Sequence, residues 1–176
     1  MINFFVLLVS CSYDSSIRFY RYDGEDWVTQ QKIDGVHVGT VWSAAFDSEG
    51  HRLVTVGEDH VIQLFVRENI GTKSANQDTW KSVARYEVEN TRWPLYSVAW
   101  NATNDMIATG GGDSKIRLFK ISTSSDDSAP CIEHLGVVGR HEYDVNHVVW
   151  NPNPKFSNLL TSASDDGTIR LWELEI

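Results

Sequence analysis

Serine, histidine and aspartate, the residue types of a hydrolytic triad, occur near the end of the chain as Ser162, His141 and Asp166. In a triad the histidine takes the serine proton and the aspartate orients the histidine, so that the serine becomes a nucleophile. The chain has no G-x-S-x-G sequence, which would place such a serine on an exposed strand-to-helix turn. A hydrolase is therefore one hypothesis, and a buried structural hydrogen-bonded line is the other.

Two further groups of residues are candidates for ligand binding. The glycines at 110–112 could cradle a phosphate, but no Lys-Ser/Thr follows them and no helix is predicted there, which favours a glycine-rich hairpin turn. His134, His141 and His147 could bind a metal, but they fall on different predicted strands without ligand spacing. We predict no metal site and no cofactor.

Composition narrows the classes of partner. The 176 residues carry a net charge of −9, so the basic surface expected of a protein that binds nucleic acid or an anionic membrane is missing. The two cysteines, Cys11 and Cys131, form no C-x-x-C pair and no set of four, which argues against zinc or iron–sulfur ligation by this chain alone. Two thiols without a disulfide pattern fit a reducing compartment.

One skeleton recurs four times and determines how these residues are positioned. A small hydroxyl residue is followed by Asp four positions later, Ile three beyond that, and an aromatic residue three further on. The copies are Ser10/Asp14/Ile17/Tyr20, Thr55/Asp59/Ile62/Phe65, Thr109/Asp113/Ile116/Phe119 and Ser162/Asp166/Ile169/Trp172. The steps from Asp to Asp are 45, 54 and 53 residues, a period typical of repeat architectures.

Each repeat shows short β runs separated by turn residues, and no stretch is predicted to be helical. In the last repeat, strands at 145–150, 159–163 and 168–174 flank the hairpin turn Ser164-Asp-Asp-Gly167. We predict the remaining strands at 27–33, 41–46, 53–56, 61–66, 80–88, 95–101, 106–109, 116–120 and 131–137. Polar connections at 67–79 and 122–130 are predicted to be surface loops.

The first nine residues are apolar except for Asn3. A signal peptide is one interpretation, but the segment has no basic residue and no small-residue cleavage site, and nine residues cannot span a bilayer. Leu7, Leu8 and Val9 also match residues 159–161 of the last repeat. We therefore expect a strand there, with residues 1–6 as a non-native start.

The run Ser-Asp-Asp-Gly-Thr-Ile-Arg-Leu-Trp at 164–172 resembles WD repeats, the blades of a β-propeller. Further runs resemble, in order, the cytosolic iron–sulfur protein assembly WD-repeat family, a component of the CIA targeting complex. They are Ser-Tyr-Asp at 12–14, Glu-Asp-Trp-Val at 25–28, Thr-Val-Trp-Ser-Ala-Ala-Phe-Asp at 40–47, Trp-Lys at 80–81 and Asp-Val-Asn-His-Val-Val-Trp-Asn-Pro at 144–152.

The resemblance implies that each blade is tied by a tetrad of His, Ser/Thr, Asp and Trp. The last repeat has all four, and the second has three, with Phe65 in place of Trp. The third has Thr91 in the His position, and the first lacks that position. We expect the fourth blade to be tied best and the third worst. The structural tetrad residues are His141, Ser162, Asp166, Trp172, His37, Thr55 and Asp59.

The strand count predicts an all-β, WD-repeat β-propeller of about three and a half four-stranded blades, a partial ring. The blade-like units span about 6–34, 37–88, 91–138 and 141–176 within one domain, 1–176. The family has seven blades, so the chain resembles its C-terminal half. We expect a fragment of the ring with an uncovered apolar face at each end that aggregates or self-associates; a four-bladed ring and a dimer of halves are the alternatives.

Two sets of residues are candidates for partner binding. Phe19-Tyr20-Arg21 stands where the family carries Leu-Tyr-Arg, with Phe19 in place of Leu. The resemblance associates this tripeptide with docking of a J-type iron–sulfur cochaperone; an ordinary core strand is the alternative. Trp42, Trp93 and Tyr96 lie at or near the first strands of their blades, where they would line a rim of the channel or pack between blades.

The resemblance implies a non-enzymatic scaffold needed for the maturation of extramitochondrial iron–sulfur proteins. The expected partners are other subunits of the CIA targeting complex, iron–sulfur apoprotein clients and a J-type cochaperone, with no nucleic acid and no membrane. The expected location is the cytoplasm, with the nucleus as a second one. The alternatives are an adaptor of another complex, such as a ubiquitin-ligase substrate receptor, and a hydrolase.

Overall fold

The computed structural model describes residues 7–68, 78–122 and 130–175. The strands are β1 Leu7–Cys11, β2 Ile17–Tyr22, β3 Trp27–Ile33, β4 Val41–Phe46, β5 Arg52–Gly57, β6 Val61–Glu68, β7 Thr79–Glu87, β8 Leu95–Trp100, β9 Met106–Gly111, β10 Lys115–Ser122, β11 Cys131–Arg140, β12 Val145–Trp150, β13 Leu159–Ser164 and β14 Ile169–Glu173. A single turn of 3-10 helix, Pro154–Phe156, is the one helical segment among the described residues. The predicted start at 1–6 and most of the two predicted loops lie outside them.

The strands form four antiparallel sheets of neighbouring hairpins. Their orders are β1-β2-β3, β4-β5-β6-β7, β8-β9-β10-β11 and β12-β13-β14. The prediction of an all-β propeller with about three and a half blades is confirmed. Neighbouring sheets cover both faces of the two middle sheets, and β9 is buried along its whole length.

Consecutive sheets pack face to face, and each junction contains its own apolar core. One cluster joins the first two sheets around Phe19 and Trp80, a second joins the middle pair around Ile62 and Ile107, and a third joins the last pair around Leu160. The core therefore lies between sheets, so each blade depends on its neighbour for burial of apolar surface.

The outer faces of the first and last sheets expose apolar residues at positions that are buried elsewhere. Ile169 and Leu171 of β14 are 76% and 67% exposed, whereas their equivalents Ile62 and Leu64 of β6 are fully buried. Leu8 of β1 is 49% exposed, because no further sheet within the described residues packs against either end.

The hairpin turns after the repeated aspartates place one residue in the left-handed region. Gly167 has φ of 75° there, but Ser15, His60 and Ser114 adopt φ of 64°, 51° and 64° at the equivalent position. The glycines at 110–112 differ from the prediction, because the first two lie inside β9. A Cβ on Gly110 would lie 2.6 Å from Val145 Cγ1, so this glycine permits the close approach of the third and fourth sheets.

Candidate functional site

The last sheet contains a continuous line of four hydrogen-bonded side chains. Trp172 Nε1 donates to Ser162 Oγ at 2.9 Å, and Ser162 Oγ lies 2.7 Å from His141 Nε2. His141 Nδ1 lies 2.8 Å from Asp166 Oδ2. With Asp166 ionised, Nδ1 carries the proton and Nε2 accepts from the serine, so each group donates to the next. The line ties β14 and β13 to the segment before β12.

The line contains the same contacts as a catalytic triad, but its surroundings differ. Ser162 is only 1% exposed and the His141 side chain is fully buried. The serine oxygen already accepts the indole N–H of Trp172 and donates to His141. A nucleophile must reach a substrate carbonyl, and this oxygen lies inside the junction between two sheets.

Asp166 is held in its charged form. Burial would raise the pKa of Asp166, but hydrogen bonds from Thr168 and His141 outweigh burial and hold its pKa well below the usual range. Thr168 Oγ1 donates to Asp166 Oδ1 at 2.6 Å, and the backbone N–H of Glu142 donates to Oδ2 at 3.2 Å. The carboxylate therefore fixes the turn before β14 as well as the histidine.

The second sheet repeats the line without its last donor. His37 Nε2 lies 2.8 Å from Thr55 Oγ1, and His37 Nδ1 lies 2.8 Å from Asp59 Oδ1. Phe65 is buried in the Trp position and donates nothing. The backbone N–H of Val38 donates to Asp59 at 2.9 Å, as Glu142 does to Asp166 in the last sheet.

The other two sheets lack the line. In the first sheet the Tyr20 hydroxyl lies 3.3 Å from Ser10 Oγ, a long contact. In the third sheet Thr91 accepts the backbone N–H of Trp93 instead of joining a tetrad. Thr109 is fully buried there, and its hydroxyl has no hydrogen-bond partner within the described part of the chain.

A buried ion pair stabilises the third sheet where the histidine is missing. Arg117 is 2% exposed, and its Nη1 and Nη2 donate to the two oxygens of Asp113 at 3.0 and 2.5 Å. Burial raises the pKa of Asp113, but hydrogen bonds and charge from Arg117, with Lys115 at 3.6 Å, hold it below the usual range. The other repeats have Arg18, Gln63 and Arg170 at the position of Arg117, and these side chains are exposed or half-buried. The repeat pattern therefore gave no sign that Arg117 is buried in an ion pair.

The threonines of the second and third sheets provide a matched pair of variants. We expect Thr55→Val to lower the free energy of unfolding by about 1–3 kcal/mol, because buried His37 loses its donor. Thr109→Val is expected to be neutral or stabilising, because its hydroxyl has no partner to lose. Urea denaturation of both variants measures the difference, and equal losses would show that the tetrad contributes nothing beyond packing.

The structure separates the three residues of the predicted docking tripeptide. Phe19 is fully buried and stacks on Trp80 with ring centroids 4.9 Å apart, so it is unavailable to a partner. Tyr20 is half-buried on the opposite face of β2, next to exposed Leu8, and not fully buried as expected for the tetrad position. Arg21 is half-buried. Docking through Tyr20 and Arg21 stays a prediction.

The structure brings the predicted rim residues together at one edge of the second and third sheets. Trp42 is 37% exposed and meets Tyr96 edge to face, with ring centroids 5.4 Å apart. Trp93 is half-exposed, and Arg92 lies over its ring at 5.8 Å. The prediction missed Tyr13, which is exposed and contacts Trp42 at 5.5 Å. Tyr13 directly precedes the repeated aspartate Asp14, just as Glu58 precedes Asp59. This position before the aspartate is the sequence signal that could have identified Tyr13 as a rim residue.

Two other kinds of feature are absent from the described residues. No helix there is long and apolar enough to cross a membrane. No group of three or more His, Cys, Asp and Glu side chains within that part of the chain is arranged to hold a metal ion. His134 lies near Phe119, whereas His147 lies 3.3 Å from Ser97 and His141 belongs to the tetrad.

Comparison with known proteins gives two findings. The family model described as "WD domain, G-beta repeat" matches residues 29–65, 80–120 and 132–173. A protein of Caenorhabditis elegans named "Probable cytosolic iron-sulfur protein assembly protein CIAO1 homolog" is 88% identical over 137 residues, which are 78% of this chain and 40% of the relative.

More distant relatives carry related names. "Probable cytosolic iron-sulfur protein assembly protein Ciao1" of Aedes aegypti is 32% identical over 91% of this chain and 48% of its own length. "Probable cytosolic iron-sulfur protein assembly protein 1" of Candida albicans is 33% identical over 86% of this chain and 44% of its own length. The chain thus spans less than half the length of the curated relatives that it matches here.

Proposed function

The chain belongs to the WD domain, G-beta repeat family, and from this premise we propose that it is a non-enzymatic scaffold of cytosolic iron–sulfur protein assembly. The observation that carries the proposal is the 88% identity to the C. elegans relative over 137 residues. At this identity most side chains over the matched 137 residues are the same in the two proteins, which supports a shared role as a scaffold.

The proposed mechanism is recognition by a rigid platform. Inter-sheet cores fix the strands, and the turns and strand ends present side chains to partners. The proposed partners are other subunits of the CIA targeting complex, iron–sulfur apoproteins and a J-type cochaperone. The proposed locations are the cytoplasm and, secondly, the nucleus. The iron–sulfur cluster is cargo in this proposal and not a resident group.

The cysteines support a scaffold role in preference to cluster ligation. A protein-bound cluster takes about four thiolate ligands, and this chain has two cysteines. Burial raises the pKa of the Cys11 thiol to about 11, which disfavours the thiolate form that ligates metal. Cys131 is exposed on β11, in a different sheet.

Affinity purification from the native host tests the proposal. We expect a tagged chain, expressed at native level, to recover iron–sulfur assembly factors and apoproteins, and depletion to lower the activity of extramitochondrial but not mitochondrial iron–sulfur enzymes. Recovery of ubiquitin-ligase subunits without assembly factors would replace the proposal with a different adaptor role.

Substituting the tetrad serine tests the absence of enzymatic activity. We expect Ser162→Ala to lower the free energy of unfolding by about 1–3 kcal/mol, because His141 and Trp172 lose a shared partner in a buried site. Partner recovery below the melting temperature is expected to stay unchanged. Loss of a hydrolytic turnover with unchanged melting would show that the serine is catalytic.

A further inference from the structure

Three aromatic side chains from three consecutive sheets form a row, here called the aromatic rim: Tyr13, Trp42 and Tyr96. Tyr13 meets Trp42 with centroids 5.5 Å apart at 72°, and Trp42 meets Tyr96 at 5.4 Å and 85°. Tyr13 is 77% exposed and Trp42 is 37% exposed. Tyr96 is half-buried, so the row runs from the exposed ring of Tyr13 to a partly covered ring at Tyr96.

β-bulges direct two of these side chains away from the core. In β4 the pairing passes from Val41 to Ser43 and leaves Trp42 as the extra residue, and β8 passes from Leu95 to Ser97 in the same way around Tyr96. A bulge changes the direction in which a side chain points and disrupts the strand pairing locally. The same bulge in β12 carries Asn146, so the aromatic row ends at the fourth sheet.

Carboxylates surround the end of the row. The backbone N–H of Asp165 donates to the carbonyl of Asp144 at 3.1 Å, and Asp165 accepts the side-chain amide of Asn146, the bulge residue of β12. Burial raises the pKa of Tyr96, and the negative charges of Asp144, Asp165 and Glu58 raise it further.

The rim carboxylates differ from the structural ones in lacking a cation. Asp47, Asp78 and Asp113 each form an ion pair with an arginine. Glu58 and Asp144 form no ion pair within the part of the chain that the structure describes. Glu58 Oε2 accepts the backbone N–H of Thr40, a neutral donor two residues before Trp42. The site therefore carries unneutralised negative charge next to exposed aromatic faces.

We propose that the aromatic rim, with Glu58 and Asp144, binds a lysine or arginine side chain from an extended segment of a partner protein. A cation over an aromatic ring gains about 0.5–2 kcal/mol, and a nearby carboxylate adds a charge-assisted hydrogen bond. Arg92 makes such a contact with Trp93 within this chain, at 5.8 Å. An acidic segment or a phosphate would be repelled by the same carboxylates. This inference rests on the proposed scaffold function and specifies one of its contact surfaces.

Calorimetric titration of the purified full chain with two capped ten-residue peptides tests the inference. Both consist of Gly and Ser, but one carries two arginines and the other carries glutamines at the same places. We expect the arginine peptide to bind more tightly, and its binding to weaken as salt rises from about 50 to 500 mM, because exposed charges are screened. Equal binding of the two peptides, or no binding of either, overturns the inference.

Three variants locate the binding. Trp42→Ala is expected to weaken binding of the arginine peptide roughly three- to thirty-fold. Asp144→Asn, which removes the charge at nearly constant size, is expected to weaken this binding and to flatten its salt dependence. Trp27→Ala is the matched control, because Trp27 is 45% exposed on outer strand β3. An effect of Trp27→Ala as large as that of Trp42→Ala overturns the inference.

Affinity purification of the unsubstituted chain, set beside the peptide titration, separates this inference from the scaffold proposal. If the unsubstituted chain recovers assembly factors but shows no arginine-dependent binding, the rim inference is wrong and the scaffold proposal stands. Absence of assembly factors with arginine-dependent binding intact overturns the cellular role and leaves the rim as a binding site for basic side chains.

Discussion

Truncating Phe19 to alanine is expected to lower the free energy of unfolding by about 3–5 kcal/mol, a large part of a typical domain's stability. The ring is fully buried and parallel to Trp80, with an interplanar angle of 3°. Its removal leaves a cavity in the cluster that joins the first two sheets. Urea denaturation monitored by tryptophan fluorescence measures the loss.

Two further substitutions separate stability from docking in the same tripeptide. Phe19→Leu keeps most of the buried volume and is expected to cost less than half as much as Phe19→Ala. Arg21→Ala is expected to change stability by no more than about 0.5 kcal/mol. Loss of cochaperone recovery by Arg21→Ala with unchanged melting would support docking there. Loss by Phe19→Ala alone would follow from unfolding, and a loss of stability below about 1 kcal/mol in Phe19→Ala would contradict the packing argument.

Replacing Arg117 by methionine is expected to lower the free energy of unfolding by about 3 kcal/mol, because removal of one partner leaves a poorly solvated charge. Lys115, 3.6 Å from Asp113, offsets part of the penalty. Methionine fills much of the space of the arginine stem, so the loss reports mainly on charge. For a chain of this size the melting temperature should fall by roughly 6–12 °C.

A second substitution distinguishes an unpaired charge from poor packing. Asp113→Asn removes the charge but keeps an acceptor for the backbone N–H of Lys115, which Asp113 Oδ1 accepts at 3.3 Å. The double variant R117M/D113N is therefore expected to recover part of the stability that R117M loses. If the two losses simply add, the pair is not coupled, and the ion-pair explanation is wrong.

Arg170 provides the matched control for Arg117. It occupies the equivalent position in the last sheet, where its side chain is 38% exposed and Nη2 lies 3.3 Å from Asp166. There His141 already satisfies Asp166, so Arg170→Met is expected to cost less than about 1 kcal/mol. A similar cost for both arginines would contradict the idea that Arg117 replaces the missing histidine.

The repeat skeleton predicted most of the fold because it depends on local physics. The Asp of each copy fixes a hairpin turn, and the alternation around it assigns residues to the two faces of a strand. Strand ends differed from the predictions mainly by one or two residues, as at β5 and β9, with β10 and β11 extending further. The segment after β12 was predicted as a turn and contains a 3-10 turn that Asn153 caps.

Contacts between sheets could not be predicted from the same pattern. Phe19 and Leu171 occupy equivalent positions, yet one is fully buried and the other is 67% exposed. Alternation predicts only that each faces away from the tetrad side of its strand. Whether that side is covered depends on the neighbouring sheet.

The sequence by itself determined the number of strands, the hairpin turns, the residues able to form a tetrad and the family that the chain resembles, because spacing along a strand dictates which side chains share a face. The tertiary structure alone decided three further features: the buried pairing of Arg117 with Asp113, the unpartnered hydroxyl of Thr109, and the convergence of Tyr13, Trp42 and Tyr96 beside unpaired carboxylates. Arg117 and Asp113 are only four residues apart, but the burial of their pair depends on the neighbouring sheets. The other two features depend on contacts between distant segments or on a bulge in strand pairing. Neither kind of contact leaves a periodic signal in one chain.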